Sequence, residues 1–223
     1  KSLGDLMNYL EENKLTDNTI IIFMSDNGGL SAAGTGRGGE ANTHNLPLKS
    51  GKGSAYEGGI RDPMIVLWPG TTKKESVCED YLIIEDFYPT ILEMAQVKRV
   101  KTVQPVDGKS FIPLLTGKGK NPSLNRALYW NTPNNWGPTG PGIAATCAIR
   151  QGDWKLIYYY ETGAKELFNL KDDLGEATNL ALTNPEKVNE LSTKLGKFLR
   201  KSGGQRPSFK ATGKPAPWPD ETF

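Results

Sequence analysis

The sequence predicts an α/β protein in two parts. A portion of a helix-covered sheet is expected over residues 1–125, and a small antiparallel sheet packed by one C-terminal helix (α+β) over 126–223. Three observations carry this expectation. A helix pattern near the start runs into an unbroken apolar strand, and helix followed by buried strand is half of an α/β repeat. After Pro113-Leu-Leu115, short strand-like pieces alternate with turn residues, the pattern of an antiparallel meander. One long apolar stripe then precedes a proline-rich tail.

The elements follow in order. Leu3, Leu6, Met7 and Leu10 recur at i, i+3, i+4 and i+7, which makes one face of an amphipathic helix. Thr19 to Met24 is β-branched and aromatic without alternation, so it suggests a strand buried on both faces within a parallel sheet. From Ser25 to Gly59 glycine is too frequent for regular structure, and a loop of that length is functional or disordered. Pro63 to Pro69 holds a second buried run. Tyr81 to Val97 reads as helix, broken or started near Pro89. Leu128–Trp130, Ala145–Arg150, Trp154–Tyr160 and Lys165–Leu170 read as strands. Asn184 and Pro185 open a last helix with its stripe at Val188, Leu191, Leu195, Phe198 and Leu199, and Gly203-Gly204 ends it. The tail with Pro207, Pro215, Pro217 and Pro219 is expected along the surface.

Composition narrows the function. Among 223 residues, 27 basic and 25 acidic side chains leave a net charge of +2, which argues against a dedicated nucleic-acid binder. The longest apolar run, Ile20 to Met24, is too short to cross a bilayer. Cys78 and Cys147 allow at most one bridge, so this is not a disulfide scaffold. The chain opens at Lys1 directly on a helix pattern, with no charged-then-apolar leader to read.

Several local motifs carry chemistry. Gly34-Thr-Gly36-Arg-Gly-Gly39 spells a dinucleotide fingerprint, but that motif needs a strand directly before it and a helix directly after, and neither is present. Gly51-Lys52-Gly53 fails as a P-loop, because Leu46 stands where the first Gly belongs and Gly53 where Ser or Thr belongs. Asp26-Asn27-Gly28-Gly29 lies at the carboxyl end of the first strand, where α/β sheets bind ligands. Asp26 and Asn27 offer adjacent hard oxygens suited to Ca²⁺ or Mg²⁺, though Asp-Asn-Gly is equally good turn chemistry. Lys52 sits between glycines that permit close backbone approach, and its ammonium can hold an oxyanion as a point charge or simply be solvated. Glu57 and Arg61 could pair and brace the turn that follows. His44, the only histidine, is a candidate acid or base near neutrality, or a bystander. Trp136, in the Pro- and Gly-rich segment Asn131 to Gly142, suits stacking on a sugar, or lies in a surface turn remote from any cleft.

Taken together, the runs 19–29 and 45–63 resemble the second half of the formylglycine-dependent sulfatases, of the alkaline-phosphatase-like superfamily and of the bacterial polysaccharide sulfatase type. The resemblance continues through Asp86-Phe-Tyr-Pro-Thr-Ile-Leu92, Asp107-Gly-Lys-Ser110, Ile149-Arg-Gln-Gly-Asp-Trp-Lys-Leu-Ile157, Glu166-Leu-Phe-Asn-Leu170 and Glu176-Ala-Thr-Asn-Leu180. It implies an alkaline-phosphatase-like sheet with helices on both faces, followed by the small antiparallel subdomain. It also implies that Asp26 and Asn27 are two ligands of a catalytic Ca²⁺ and that Lys52 contacts sulfate and acts in catalysis. Lys49, His44 and Trp136 join Lys52 as expected substrate-binding residues. The formylglycine nucleophile of the family arises within a Cys/Ser-x-Pro/Ala-x-Arg motif, which this chain lacks: Cys78 is followed by Glu-Asp-Tyr and Cys147 by Ala-Ile-Arg. The resemblance thus implies a carboxy-terminal piece of a periplasmic or secreted sulfatase, inactive alone. Its partners would be the missing N-terminal half of the same protein and a sulfated saccharide or aryl sulfate. A phosphonate monoester or phosphodiester hydrolase of the same superfamily, and a non-catalytic carbohydrate-binding module, are the alternatives.

Overall fold

The computed structural model describes residues 1–31, 45–98, 101–119, 121–135 and 140–223. In chain order its first elements are α1 (Ser2–Glu12), β1 (Ile21–Met24), α2 (Glu57–Ile60), β2 (Met64–Leu67), α3 (Phe87–Met94) and α4 (Ile112–Thr116). They are followed by β3 (Ala127–Thr132), β4 (Thr146–Gln151), β5 (Trp154–Tyr159), β6 (Lys165–Asn169) and α5 (Pro185–Lys201). The chain forms two compact units, one of Lys1–Met24 with Pro63–Asn125, the other of Ser25–Asp62 with Arg126–Phe223. No helix among the described residues is long and apolar enough to cross a membrane.

In the first unit β1 and β2 pair antiparallel, with Ile21 opposite Leu67 and Met24 opposite Met64. This corrects the expectation of a parallel neighbour and of burial on both faces. Phe23 and Ile65 are register partners and are exposed at 53% and 65%. The physical reason is that an apolar run without alternation reports hydrophobicity, not strand direction, and the described residues supply β1 with one neighbour only. Likewise α1 forms where its stripe predicts, yet of the stripe only Leu10 is buried, and Leu6 and Met7 stay about half exposed. α3 starts two residues before Pro89, so the proline falls in the first turn, where its missing N–H breaks no helix bond. The buried Asp86 carboxylate ahead of α3 accepts the backbone N–H of Lys109 at 2.8 Å and of Ile83 at 3.2 Å.

The second unit is built on the antiparallel sheet β3-β4-β5-β6. β4 and β5 are joined by the two-residue turn Gly152-Asp153, with Gly152 at φ 59°, a positive angle that tight hairpin turns require. Alternation along the strands then sorts the side chains. Cys147, Ile149, Leu156, Tyr158 and Leu167 pack with Leu191, Leu195 and Leu199 of α5. Ala148, Ile157 and Phe168 pack with Ala55 and Tyr56. The strand-like segment at Trp154 is therefore a strand, as the two-part architecture needs. The tail is corrected: Ala216 and Trp218 are buried in the α5 side of the core, and the Tyr158 hydroxyl donates to the Pro217 carbonyl at 3.0 Å. Prolines end regular structure without dictating exposure, and the tryptophan gains more from burial than a surface path allows.

Candidate functional site

Apart from Trp136, the residues expected at the site fall within 25–62, and backbone hydrogen bonds tie its two loops together. Gly28 N–H donates to the Gly59 carbonyl at 3.0 Å, and Lys52 N–H donates to the Gly29 carbonyl at 3.1 Å. Asn45 staples the same junction: its Oδ1 accepts Gly29 N–H at 3.0 Å, and its Nδ2 donates to the carbonyls of Gly29 at 3.0 Å and Ser50 at 2.9 Å. Glycine is required at position 28, because a Cβ there would stand 1.8 Å from the Gly58 oxygen. The loops meet as bare backbone, which fixes their spacing.

On this junction Asp26 is exposed and Asn27 partly buried. The Asn27 Oδ1 atom itself is buried and finds no hydrogen-bond partner among the described residues. A buried amide oxygen left unpaired is costly, and a cation is one of the groups that can satisfy it. Asp62 lies close enough to Asp26 to feel its charge: partial burial, then the Asp26 carboxylate, push the Asp62 carboxyl above its ordinary range. The Lys52 side chain is exposed. Lys49 is differently placed. Its ammonium donates to the Glu176 carbonyl at 3.0 Å and sits 4.1 Å from the centroid of the Tyr56 ring. His44 and Trp136 lie outside the described residues. Among the described residues no three His, Cys, Asp or Glu side chains converge as a metal site.

Below the junction lies an ionic cluster that the sequence reading did not collect. Lys155 is fully buried, with its Nζ 2.9 Å from Glu57 Oε1 and 2.9 Å from Glu176 Oε1. Arg150 Nη1 stands 3.3 Å from Glu57 Oε2 and Arg61 Nη1 3.6 Å from the same oxygen. The expected Glu57–Arg61 pair thus exists, but as the outermost contact of a larger set. Glu176 Oε2 accepts the Glu57 backbone N–H at 2.6 Å. Burial alone would raise the Glu57 carboxyl, but Lys155 and Arg150 outweigh it and hold Glu57 below the ordinary glutamate range. For Glu176 burial prevails over Lys155 and pushes the carboxyl up. Beside Gly53 a cavity of about 130 Å³ is lined by Ser54, Trp130, Thr132, Thr146 and Cys147. That volume holds a few waters and is well below the ~300 Å³ of small ligand pockets. Burial pushes the Cys147 thiol up to about 12, which leaves it a core residue and not a nucleophile.

Residues 51–204 match the family model described as N-sulphoglucosamine sulphohydrolase, C-terminal. The chain belongs to this sulfatase family. Residues 1–97 also match the sulfatase family model. A protein of Formosa agariphila named sulfatase is 35% identical over 214 residues, covering 90% of this chain and 37% of its own length. An N-acetylgalactosamine-6-O-sulfatase of Bacteroides thetaiotaomicron is 30% identical over 212 residues, covering 87% and 39%. Among solved structures, Ps i-CgsB in complex with k-i-k-neocarrahexaose superposes with a TM-score of 0.73 at 29% identity, covering 92% of this chain and 41% of that one. BT4656 in complex with its substrate D-glucosamine-2-N,6-O-disulfate gives 0.65 at 28%, covering 90% and 38%. The chain therefore spans about two fifths of the length of these sulfatases, and the likeness carries the α/β, alkaline-phosphatase-like fold that the sequence predicts.

Proposed function

We propose that the protein carrying this chain hydrolyses sulfate esters of a saccharide or aryl alcohol. The observation that carries the proposal is the locked junction of two loops, with the Asn27 oxygen, unpartnered among the described residues, and the exposed Asp26 carboxylate on one and the Lys52 ammonium on the other. The donor set fits a hard cation: Asp26 and Asn27 would hold Ca²⁺, which takes about six to eight oxygens, so the remaining ligands would come from residues outside this chain. When bound, Ca²⁺ would neutralise charge on the sulfate oxygens, and a formylglycine outside this chain would supply the nucleophile. Lys52 is the cation proposed to meet the sulfate group. Its point charge binds a sulfate oxygen and offsets the charge that develops on the leaving ester oxygen. Lys49 holds its loop from beneath through Glu176 and Tyr56, and through that loop supports substrate binding. His44 and Trp136 complete the proposed substrate contacts.

Within this reading residues 1–125 are the C-terminal part of the large α/β domain, and residues 126–223 the small subdomain that backs the site. A sulfated saccharide is supported by relatives and neighbours named for such substrates. A periplasmic or secreted location is part of the same proposal. The test is steady-state turnover by the protein that carries this chain. Lys52→Ala is expected to lower kcat/KM on a sulfate ester by about 10²–10³-fold, equivalent to roughly 2.7–4 kcal/mol of transition-state stabilisation. Lys52→Arg is expected not to restore it, because the planar fork does not reproduce a compact ammonium. A Lys52→Ala enzyme within about threefold of the parent would remove Lys52 from the reaction.

A further inference from the structure

The ionic cluster under the two loops raises a question that stability does not answer. Burying a charge costs several kcal/mol, and apolar replacements of buried ion pairs are often neutral or stabilising. Lys155 is nevertheless wholly buried between two carboxylates. Its placement follows from the strands. Arg150 on β4 and Lys155 on β5 are register partners, on the face that also carries Ala148 and Ile157.

From Lys155 the contacts lead to both loops of the site through two carboxylates and the backbone of α2. Lys155 holds Glu57, the first residue of α2, and Glu176, which accepts the Glu57 N–H and whose own carbonyl accepts the Lys49 ammonium. The next residue of α2, Gly58, donates its N–H to the Lys49 carbonyl at 3.0 Å. The one after, Gly59, accepts the Gly28 N–H. A Cβ at Gly58 would stand 2.3 Å from the Lys49 oxygen, so this contact has no slack.

We propose that Lys155 is a positioning residue: it fixes α2 through Glu57 and Glu176, and α2 sets the spacing between the Asp26–Gly29 loop and the Lys49–Gly53 loop. Its meaning for catalysis rests on the sulfatase reading; its effect on the loops does not. The experiment compares Lys155→Met, Glu176→Gln and the control Lys194→Met, a half-buried lysine of α5 paired with Glu190 and Gln151, in the whole protein that carries this chain. Hydrogen exchange is followed in peptides covering 26–31 and 49–60 against peptides covering α5, and kcat and KM are measured on an aryl sulfate.

Lys155→Met is expected to speed exchange in both loops by about tenfold or more while α5 keeps its protection, since a local opening is read apart from global unfolding. It is expected to lower kcat by about tenfold with KM within threefold, because Lys52 acts mainly as charge develops in the transition state. Glu176→Gln shifts both in the same direction and Lys194→Met shifts neither. Loops and α5 losing protection together, or loops unchanged with α5 intact, would overturn the proposal. If Lys155→Met does not fold, Glu176→Gln, which keeps shape and an acceptor for Glu57 N–H, decides by the same comparison. A parent protein that cleaves no sulfate ester would end the sulfatase reading, and the exchange data would still decide the positioning role.

Discussion

Asn27 and Gly28 are neighbours with opposite requirements. Asn27 brings an oxygen that is buried and, among the described residues, unpaired, while Gly28 brings no side chain, so that the Gly58 carbonyl can approach. Gly28→Ala is expected to part the two loops and abolish Ca²⁺-dependent turnover while leaving the core of α5 folded, a pairing checked by activity together with circular dichroism. Glu57 gives a second prediction, with a definite sign. Its folded pKa lies below the unfolded value of about 4.3, so the stability it contributes is present above that value and lost as pH falls through the folded one. Glu176 acts oppositely, since its raised carboxyl opposes folding when ionised and is relieved on protonation. Melting temperatures between pH 7 and pH 3 are expected to fall on the acid side, and Glu57→Gln is expected to flatten that fall. An unchanged acid limb in Glu57→Gln would place the titrating group elsewhere. At this scale the sequence offered Asp26, Asn27 and Lys52 as candidates because they stand in glycine-rich motifs, and the structure joins their two loops. Lys155 and Glu176 were not legible, because each lies in a different motif and only the fold brings them within 2.9 Å. The alternation of β5, which puts Lys155 on the face of Ile157, was the available signal.

The elements of the second unit divide their work by face. One side of β4, β5 and β6 receives α5 and the tail, and the other receives Ala55 and Tyr56 and so carries the site. Leu195, wholly buried at the centre of the α5 contact, is expected to cost about 2–5 kcal/mol of stability when replaced by alanine, measured by urea unfolding. Because it faces away from α2, the same substitution is expected to leave KM on a sulfate ester unchanged at a temperature where the variant is folded. Strands and helices here were read from period, turn residues and caps, and α5 ends within two residues of the expected glycines. What period could not give was company. The stripe of α1 and the runs of β1 and β2 are apolar in the manner of buried elements, yet Met7, Phe23 and Ile65 are exposed. Hydrophobic pattern says which face wants covering and not whether the same stretch of chain supplies the cover.

At the scale of the whole molecule, the chain spans about two fifths of the length of the sulfatases it matches, and on the proposed reading Asp26 and Asn27 would supply two of the roughly six to eight oxygens that Ca²⁺ takes. The chain by itself is therefore expected to bind Ca²⁺ weakly; submicromolar affinity by calorimetry would show that the described oxygens suffice. The central claim, that this sequence serves a calcium-dependent sulfuric ester hydrolase, is tested most directly by one measurement. Matched aryl sulfate and aryl phosphonate esters are offered to the protein that carries this chain, with Ca²⁺ present and after its removal by a chelator. The account predicts that the sulfate ester is the better substrate by kcat/KM and that its turnover is lost with the metal and restored on adding it back. Preferred hydrolysis of the phosphonate, or sulfate turnover indifferent to Ca²⁺, would contradict it.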